Sequence, residues 1–184
     1  MMKKISFWLL ICGLLTSVGF ISCGDDDDDA ATTGKAALKI GDKGVGLDYA
    51  YWYCDLAQGS ETANVYHLEF YSFDITKIGS TVPSAFSIVY IDIETTGSIN
   101  EIPVGTFPAS KYNVYVVLGS GEDDQYEIDD NNASNGNLII TKENGTYKVN
   151  LSKVFLIGDG DNKEASFSYN GGFSPVPEGW HDND

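Results

Sequence analysis

The 184-residue chain carries 11 lysines, no arginine and 27 acidic residues, a net charge of −16, with 42% hydrophobic and 12% aromatic residues. Nucleic-acid binding needs basic charge to displace counterions from phosphates, so this balance excludes it, and without arginine no bidentate clamp on phosphate or carboxylate can be built. A field this negative keeps a protein soluble and draws cations toward it.

The chain opens with Lys3 and Lys4, continues through an apolar run from Ile5 to Phe20, and reaches Cys23 just before five aspartates, Asp25 to Asp29. The run is about 16 residues long, short of the roughly 20 that span a bilayer, and Gly13, Thr16, Ser17 and Gly19 dilute it. A charged start, a short apolar stretch and small residues at a cleavage point predict a cleaved export leader over residues 1–22 rather than a permanent membrane helix. Its removal takes Lys3 and Lys4 and leaves nine lysines against 27 acids, a net charge of −18. Residues 23–34 then form an acidic tether. Adjacent carboxylates repel one another and keep it extended and solvated; at ~3.3 Å per residue, about ten residues reach ~30 Å.

Phe20-Ile21-Ser22-Cys23 resembles the cleavage motif of bacterial lipoproteins, although that motif usually has Leu where Phe20 stands and Gly or Ala where Ser22 stands. With the acidic run, residues 1 to 33 are similar to the start of Bacteroidetes-type lipoproteins carried to the outer face of the outer membrane. The resemblance implies an acylated Cys23, a partner in outer-membrane lipid and a domain exposed on the cell surface of a Gram-negative bacterium. One acyl chain holds a protein marginally and two hold it stably, so a di- or triacylated cysteine is a firm anchor. The alternative for the acidic run is a plain solvated linker. Cys12 leaves with the leader, which makes Cys54 the one remaining thiol and rules out an intrachain disulfide. Cys54 is expected to be a small buried hydrophobe.

Residues 35–184 suit one domain with one core, and no internal repeat is visible. The periodicity is that of strands. Ala36 to Ile40 alternates, as does Val45 to Cys54, where Leu47, Tyr49, Tyr51 and Tyr53 fall on one face and Asp48, Ala50, Trp52 and Cys54 on the other. Asn64 to Phe73 sets Tyr66, Leu68 and Phe70 against Val65, His67, Glu69 and Tyr71. Asp74 to Ile78 holds one short turn. Phe86 to Thr95 places Val89, Ile91 and Ile93 together, with Asp92 and Glu94 toward solvent. Lys111 to Leu118 follows. Leu138 to Lys142 and Thr146 to Leu151 flank Glu143-Asn144-Gly145, and Asn-Gly is the hairpin signal for a turn whose two central residues need positive φ. Val154 to Ile157 and Ala165 to Tyr169 form a further pair, and the Gly/Pro-rich tail Gly171 to Asp184 is irregular. Short strands with Gly/Asn/Asp turns predict an all-β fold, a single antiparallel β-sandwich with a small β-barrel as the alternative.

Three constellations carry chemistry. The segment Gly121 to Asn132 groups Asp123, Asp124, Asp129 and Asp130 among further acids; calcium, which takes six to eight oxygen ligands, is the cation such a loop would hold, and a solvated acidic loop is the competing reading. Asp159 and Asp161 begin like a calcium loop, but Lys163 stands where an oxygen ligand belongs. Tyr49, Tyr51 and Tyr53 form a stripe that is either core or, if exposed, a platform for sugar rings, and Trp180 near the terminus is a second exposed aromatic candidate. Asp92 and Glu94, two residues apart on a strand, lie ~6.5–7 Å apart, within the range of paired glycosidase carboxylates. No nucleophile elbow, HExxH, phosphate-binding glycine loop or CxxC occurs, so no catalytic residue is assigned, and His67 is expected to be structural.

The expectation is a non-enzymatic surface module that binds an extracellular ligand, a glycan or an outer-membrane protein partner, needing no cofactor beyond the calcium considered above. Alternatives are a pilus or surface-assembly component joined by strand addition, and a hydrolase or lipocalin-like ligand carrier. The stretch Gly136 to Phe173, ending Ser168-Tyr169-Asn170-Gly171-Gly172-Phe173, looks like that of many lipoproteins of gut Bacteroidetes, a likeness that carries no functional residue across.

Overall fold

Alternating apolar and polar residues put one row of side chains on each face of a pleated strand, and the sequence does this along most of its length. The computed structural model describes residues 34–57, 62–77, 83–119, 125–158, 161–177 and 180. Strand accounts for 64% of the structure, in an open curled sheet. The strands are β1 (Lys35–Ile40), β2 (Lys43–Leu47), β3 (Tyr49–Leu56), β4 (Asn64–Tyr71), β5 (Ser87–Thr95), β6 (Gly105–Phe107), β7 (Tyr112–Leu118), β8 (Gln125–Ile128), β9 (Leu138–Glu143), β10 (Thr146–Gly158), β11 (Asp161–Gly171) and β12 (Ser174–Pro175). Short 3-10 turns lie at Ile75–Lys77 and Ala109–Lys111.

Ten strands run in the order β12-β3-β4-β5-β7-β8-β10-β11-β1-β2, with β9 beside β10 and β6 on β9. Among the described residues only β12 pairs in parallel, along β3. The all-β expectation holds, and the observed form is a half-barrel rather than two separately paired sheets. Its curl brings non-adjacent strands together over one core: Phe70 on β4 lies 4.6 Å from Phe167 on β11, ring centre to ring centre. Tyr66, Leu68 and Phe70 of β4 and Val89, Ile91 and Ile93 of β5 are fully buried, on the faces their periodicity assigns them. Each such side chain contributes roughly 1.5–3 kcal/mol by leaving water.

The predicted hairpin is present. β9 and β10 pair from Leu138↔Leu151 to Glu143↔Thr146, and Asn144 (φ 51°) and Gly145 (φ 81°) supply the two left-handed residues.

Four expectations are corrected. The single strand Val45 to Cys54 is two strands broken at Asp48, with β2 on β1 and β3 on β4. The break exchanges faces: Leu47 belongs to the main core with Ala50, whereas Tyr51 belongs to a second cluster. Thr146 to Leu151 and Val154 to Ile157 are one 13-residue strand with a register shift between Leu151 and Val154; a bulge lets one strand absorb extra residues without ending. Part of the acidic segment before Asn132 is β8, with Glu127 opposite Tyr115 on β7. The tail is not wholly irregular, since β12 pairs with Tyr51 and Trp52.

The second cluster sits on the outer face of β3, β4 and β5. Tyr51, Tyr71, Ile75 and Ile88 form it, and Tyr49, Phe73, Phe86, Tyr90, Val176 and Trp180 pack against it. The tail reaches it through the bond from Val176 N–H to Trp52 C=O, 3.1 Å.

Candidate functional site

The strand register places polar and aromatic residues in rows across the outer face. Tyr53 on β3 is opposite His67 on β4, His67 opposite Asp92 on β5, and Asp92 opposite Asn113 on β7. One step along, Asp55 is opposite Val65 and Val65 opposite Glu94. The His67 ring stacks on Tyr53 with centres 4.2 Å apart and planes within 10°. Its Nδ1 is 2.8 Å from Asp92 Oδ1, and its Nε2 is 3.8 Å from Asp55 Oδ2. Burial pushes the Tyr53 hydroxyl well above its usual range, and the charges of Glu69, Asp92 and Asp55 push it further, so the ring is neutral.

Beside this row lies an open cleft of about 690 Å³. One wall is the outer face of β5 and β7, with Asp92, Glu94 and Asn113, together with Lys111 of the 3-10 turn before β7; the other is the loop after β8, with Asp130 and Asn132. Asx chemistry braces that loop. Asp129 accepts from the Asn131 N–H (3.2 Å) and from Asn162 Nδ2 (2.9 Å), and Asn135 Nδ2 donates to the Asp129 carbonyl (2.8 Å). Asn135 Oδ1 accepts from the Phe155 N–H, and the Tyr112 hydroxyl donates to the Gly136 carbonyl at 2.6 Å. Burial drives the Tyr112 hydroxyl up to about 12, so it stays a donor. Asn113 Oδ1 accepts from the Val114 N–H and Asn132 Oδ1 from the Ser134 N–H, which leaves both amide NH₂ groups as donors. The cleft therefore presents carboxylate acceptors, amide donors and one ammonium group on a fixed frame.

The residues singled out from the sequence fall as follows. Cys23, Asp123, Asp124, Asp159 and His181 lie outside the described residues. Asp129 is committed to bracing the loop, Asp130 lines the cleft, and among the described residues no three His, Cys, Asp or Glu side chains are placed to share a metal ion. The tyrosine stripe is not an open platform: Tyr51 is 1% exposed, Tyr49 is half-buried against it, and Tyr53 is stacked on His67. Trp180 is not exposed either; it is half-buried, edge-on to Tyr71 with centres 6.4 Å apart. Asp92 and Glu94 share the outer face, as their spacing requires, and both line the cleft. Cys54 packs half-buried against the main core, and burial with the Asp55 charge raises its thiol, which disfavours the nucleophilic thiolate.

Sequence reading missed the pairing of His67 with Asp92, because it needs the register of β4 on β5. Of the second wall of the cleft it named Asp130 but neither Asn132 nor Asn135 as a site residue, for which the Asn- and Asp-rich run Asp129 to Asn135 was the available signal. Compared with known proteins, the chain matches no family model, no curated protein and no solved structure.

Proposed function

We propose that the protein is a lipid-anchored module on the bacterial cell surface that binds an extracellular glycan in the cleft between β5, β7 and the loop after β8. The cleft carries this reading. Sugar hydroxyls donate and accept at once, and here Glu94 and Asp130 accept while Asn113, Asn132 and Lys111 donate, on walls fixed by backbone hydrogen bonds. The leader, Cys23 and the acidic tether support the anchoring, through outer-membrane lipid. A binding rather than catalytic role is favoured because the one thiol among the described residues packs against the opposite face of the sheet and Asp92 is engaged by His67. For the finer architecture we favour a flattened, sandwich-like half-barrel, a reading supported by the contact of β4 with β11 across the core.

A glycan array probed with the mature chain tests the ligand. Asn113→Ala and Glu94→Gln should each weaken a retained glycan about tenfold, the equivalent of ~1.4 kcal/mol. Retention unaffected by either substitution, or no retention at all, removes the cleft reading. Mass spectrometry of the native product tests the anchor, which fails if the Cys23 sulfur is unmodified and the leader still attached.

A further inference from the structure

One step along β5 and β7 from the cleft, the outer face turns aromatic. Asp92 and Asn113 are opposite each other across the two strands, and Tyr90 and Tyr115 are the next outward pair. That step along a strand is ~6.5–7 Å, comparable with the length of one sugar unit. The two rings lie side by side, with centres 6.1 Å apart and planes inclined by 31°. Tyr90 is backed by the fully buried Tyr71, which it meets edge-on at 6.1 Å. Tyr115 is held by Tyr90 and by its own hydroxyl, which donates to Gln125 Oε1 on β8. Burial and the Glu127 charge raise that hydroxyl, so it stays a donor. Both rings are half-buried: fixed in place, they still keep apolar surface in water. The charge around them is one-sided. Glu127 is opposite Tyr115, and Asp92, Glu94 and Asp130 line the cleft, where Lys111 is the one ammonium among the described residues.

We propose that Tyr115 and Tyr90 form a stacking subsite that continues the cleft, and that the ligand is a neutral oligosaccharide of at least two sugar units, one hydrogen-bonded in the cleft and the next laid by its C–H face on the rings. The inference rests on the glycan reading of the cleft and extends it to a ligand class. A pyranose has hydroxyls around its edge and C–H bonds on its face, which fits amide and carboxylate groups followed by an aromatic surface. Rings held in place beforehand lose little side-chain freedom when the sugar arrives. Uronic acids and sulfated sugars would set negative charge against Asp92, Glu94, Glu127 and Asp130, which disfavours them. The aromatic platform is thus assembled from β5 and β7 rather than from the tyrosines of β3.

Calorimetry of the mature chain with cellotriose, xylotriose, mannotriose and N-acetylchitotriose, each beside its monosaccharide, tests the subsite, with trigalacturonic acid as the acidic comparison. We expect a neutral trisaccharide to bind more tightly than its monosaccharide. Tyr115→Ala should weaken the trisaccharide about two- to tenfold and leave the monosaccharide unchanged, which also shows that the variant is folded. Tyr115→Phe, which keeps the ring, should keep the gain. In the wild type the Tyr115 ring resonances should shift with the trisaccharide, a readout that needs no variant. A chain-length gain that survives Tyr115→Ala, unmoved Tyr115 resonances, or a preference for trigalacturonic acid overturns the subsite and leaves the cleft as the glycan site. Binding that Asn113→Ala and Glu94→Gln leave unchanged removes the cleft reading, and the subsite that continues it; no binding of any saccharide removes both.

Discussion

The Tyr51 hydroxyl donates to Asp74 Oδ1 at 2.9 Å and so ties β3 to the 3-10 turn that follows β4. The same oxygen accepts from the Thr76 N–H (3.0 Å) and hydroxyl (2.6 Å), while Lys77 Nζ stands 3.2 Å from Oδ2. Burial alone would raise the Asp74 carboxyl, but the hydrogen bonds from Thr76, Tyr51 and Lys77 outweigh it and hold the group below its ordinary value. A carboxyl depressed in the folded state contributes stability that is complete above its unfolded value near 3.9 and is lost as pH falls through the lower folded value. Asp74→Ala should therefore cost about 1–3 kcal/mol near neutral pH. The gap from wild type should narrow as the pH drops below about 4. Urea denaturation at several pH values measures this, and a gap independent of pH would mean that the carboxylate charge plays no part.

Phe70 joins the two halves of the curl. It is fully buried and meets Phe167, Tyr169 and Phe173 at 4.6, 5.1 and 5.5 Å between ring centres. Phe70→Ala should destabilise by about 3–5 kcal/mol through lost burial and the cavity left behind. The half-buried Phe173 should cost less when truncated. Equilibrium unfolding in urea distinguishes them by midpoint, with an unchanged slope if cooperativity is kept.

Two glycines with equally open surroundings should respond with opposite sign. A Cβ added at Gly145 or at Gly44 meets no atom within 4 Å. Gly145 has φ 81°, where an L side chain strains against its own backbone, so Gly145→Ala should cost about 1–2 kcal/mol. Gly44 lies within β2, where a glycine is weaker than alanine, so Gly44→Ala should gain up to about 1 kcal/mol. Thermal unfolding of the two variants reads the difference directly, and equal shifts would show that turn conformation does not govern the hairpin.

Much of the fold is written in local pattern. Val89, Ile91 and Ile93 on one face, and Asn144-Gly145 between two strands, needed no tertiary information, since period two and positive φ are properties of a few adjacent residues. Asp48 was illegible because a bend that swaps the inner face between Leu47 and Ala50 leaves the alternation of residue types unchanged. β12 escaped notice because two residues carry no periodicity. The site was half legible: Asp92 and Glu94 were visible as an outward pair, but their neighbours His67 and Asn113 come from other strands and are fixed only by register.

β1 pairs with one strand adjacent to it in sequence and with another far along the chain. Lys35 to Ile40 lies between β2, which follows at once, and β11, whose Asn170 is opposite Lys35. β11 must therefore be synthesised before β1 can be enclosed on both sides. Distant pairings of this kind slow folding, because a long loop must close before its contacts can form.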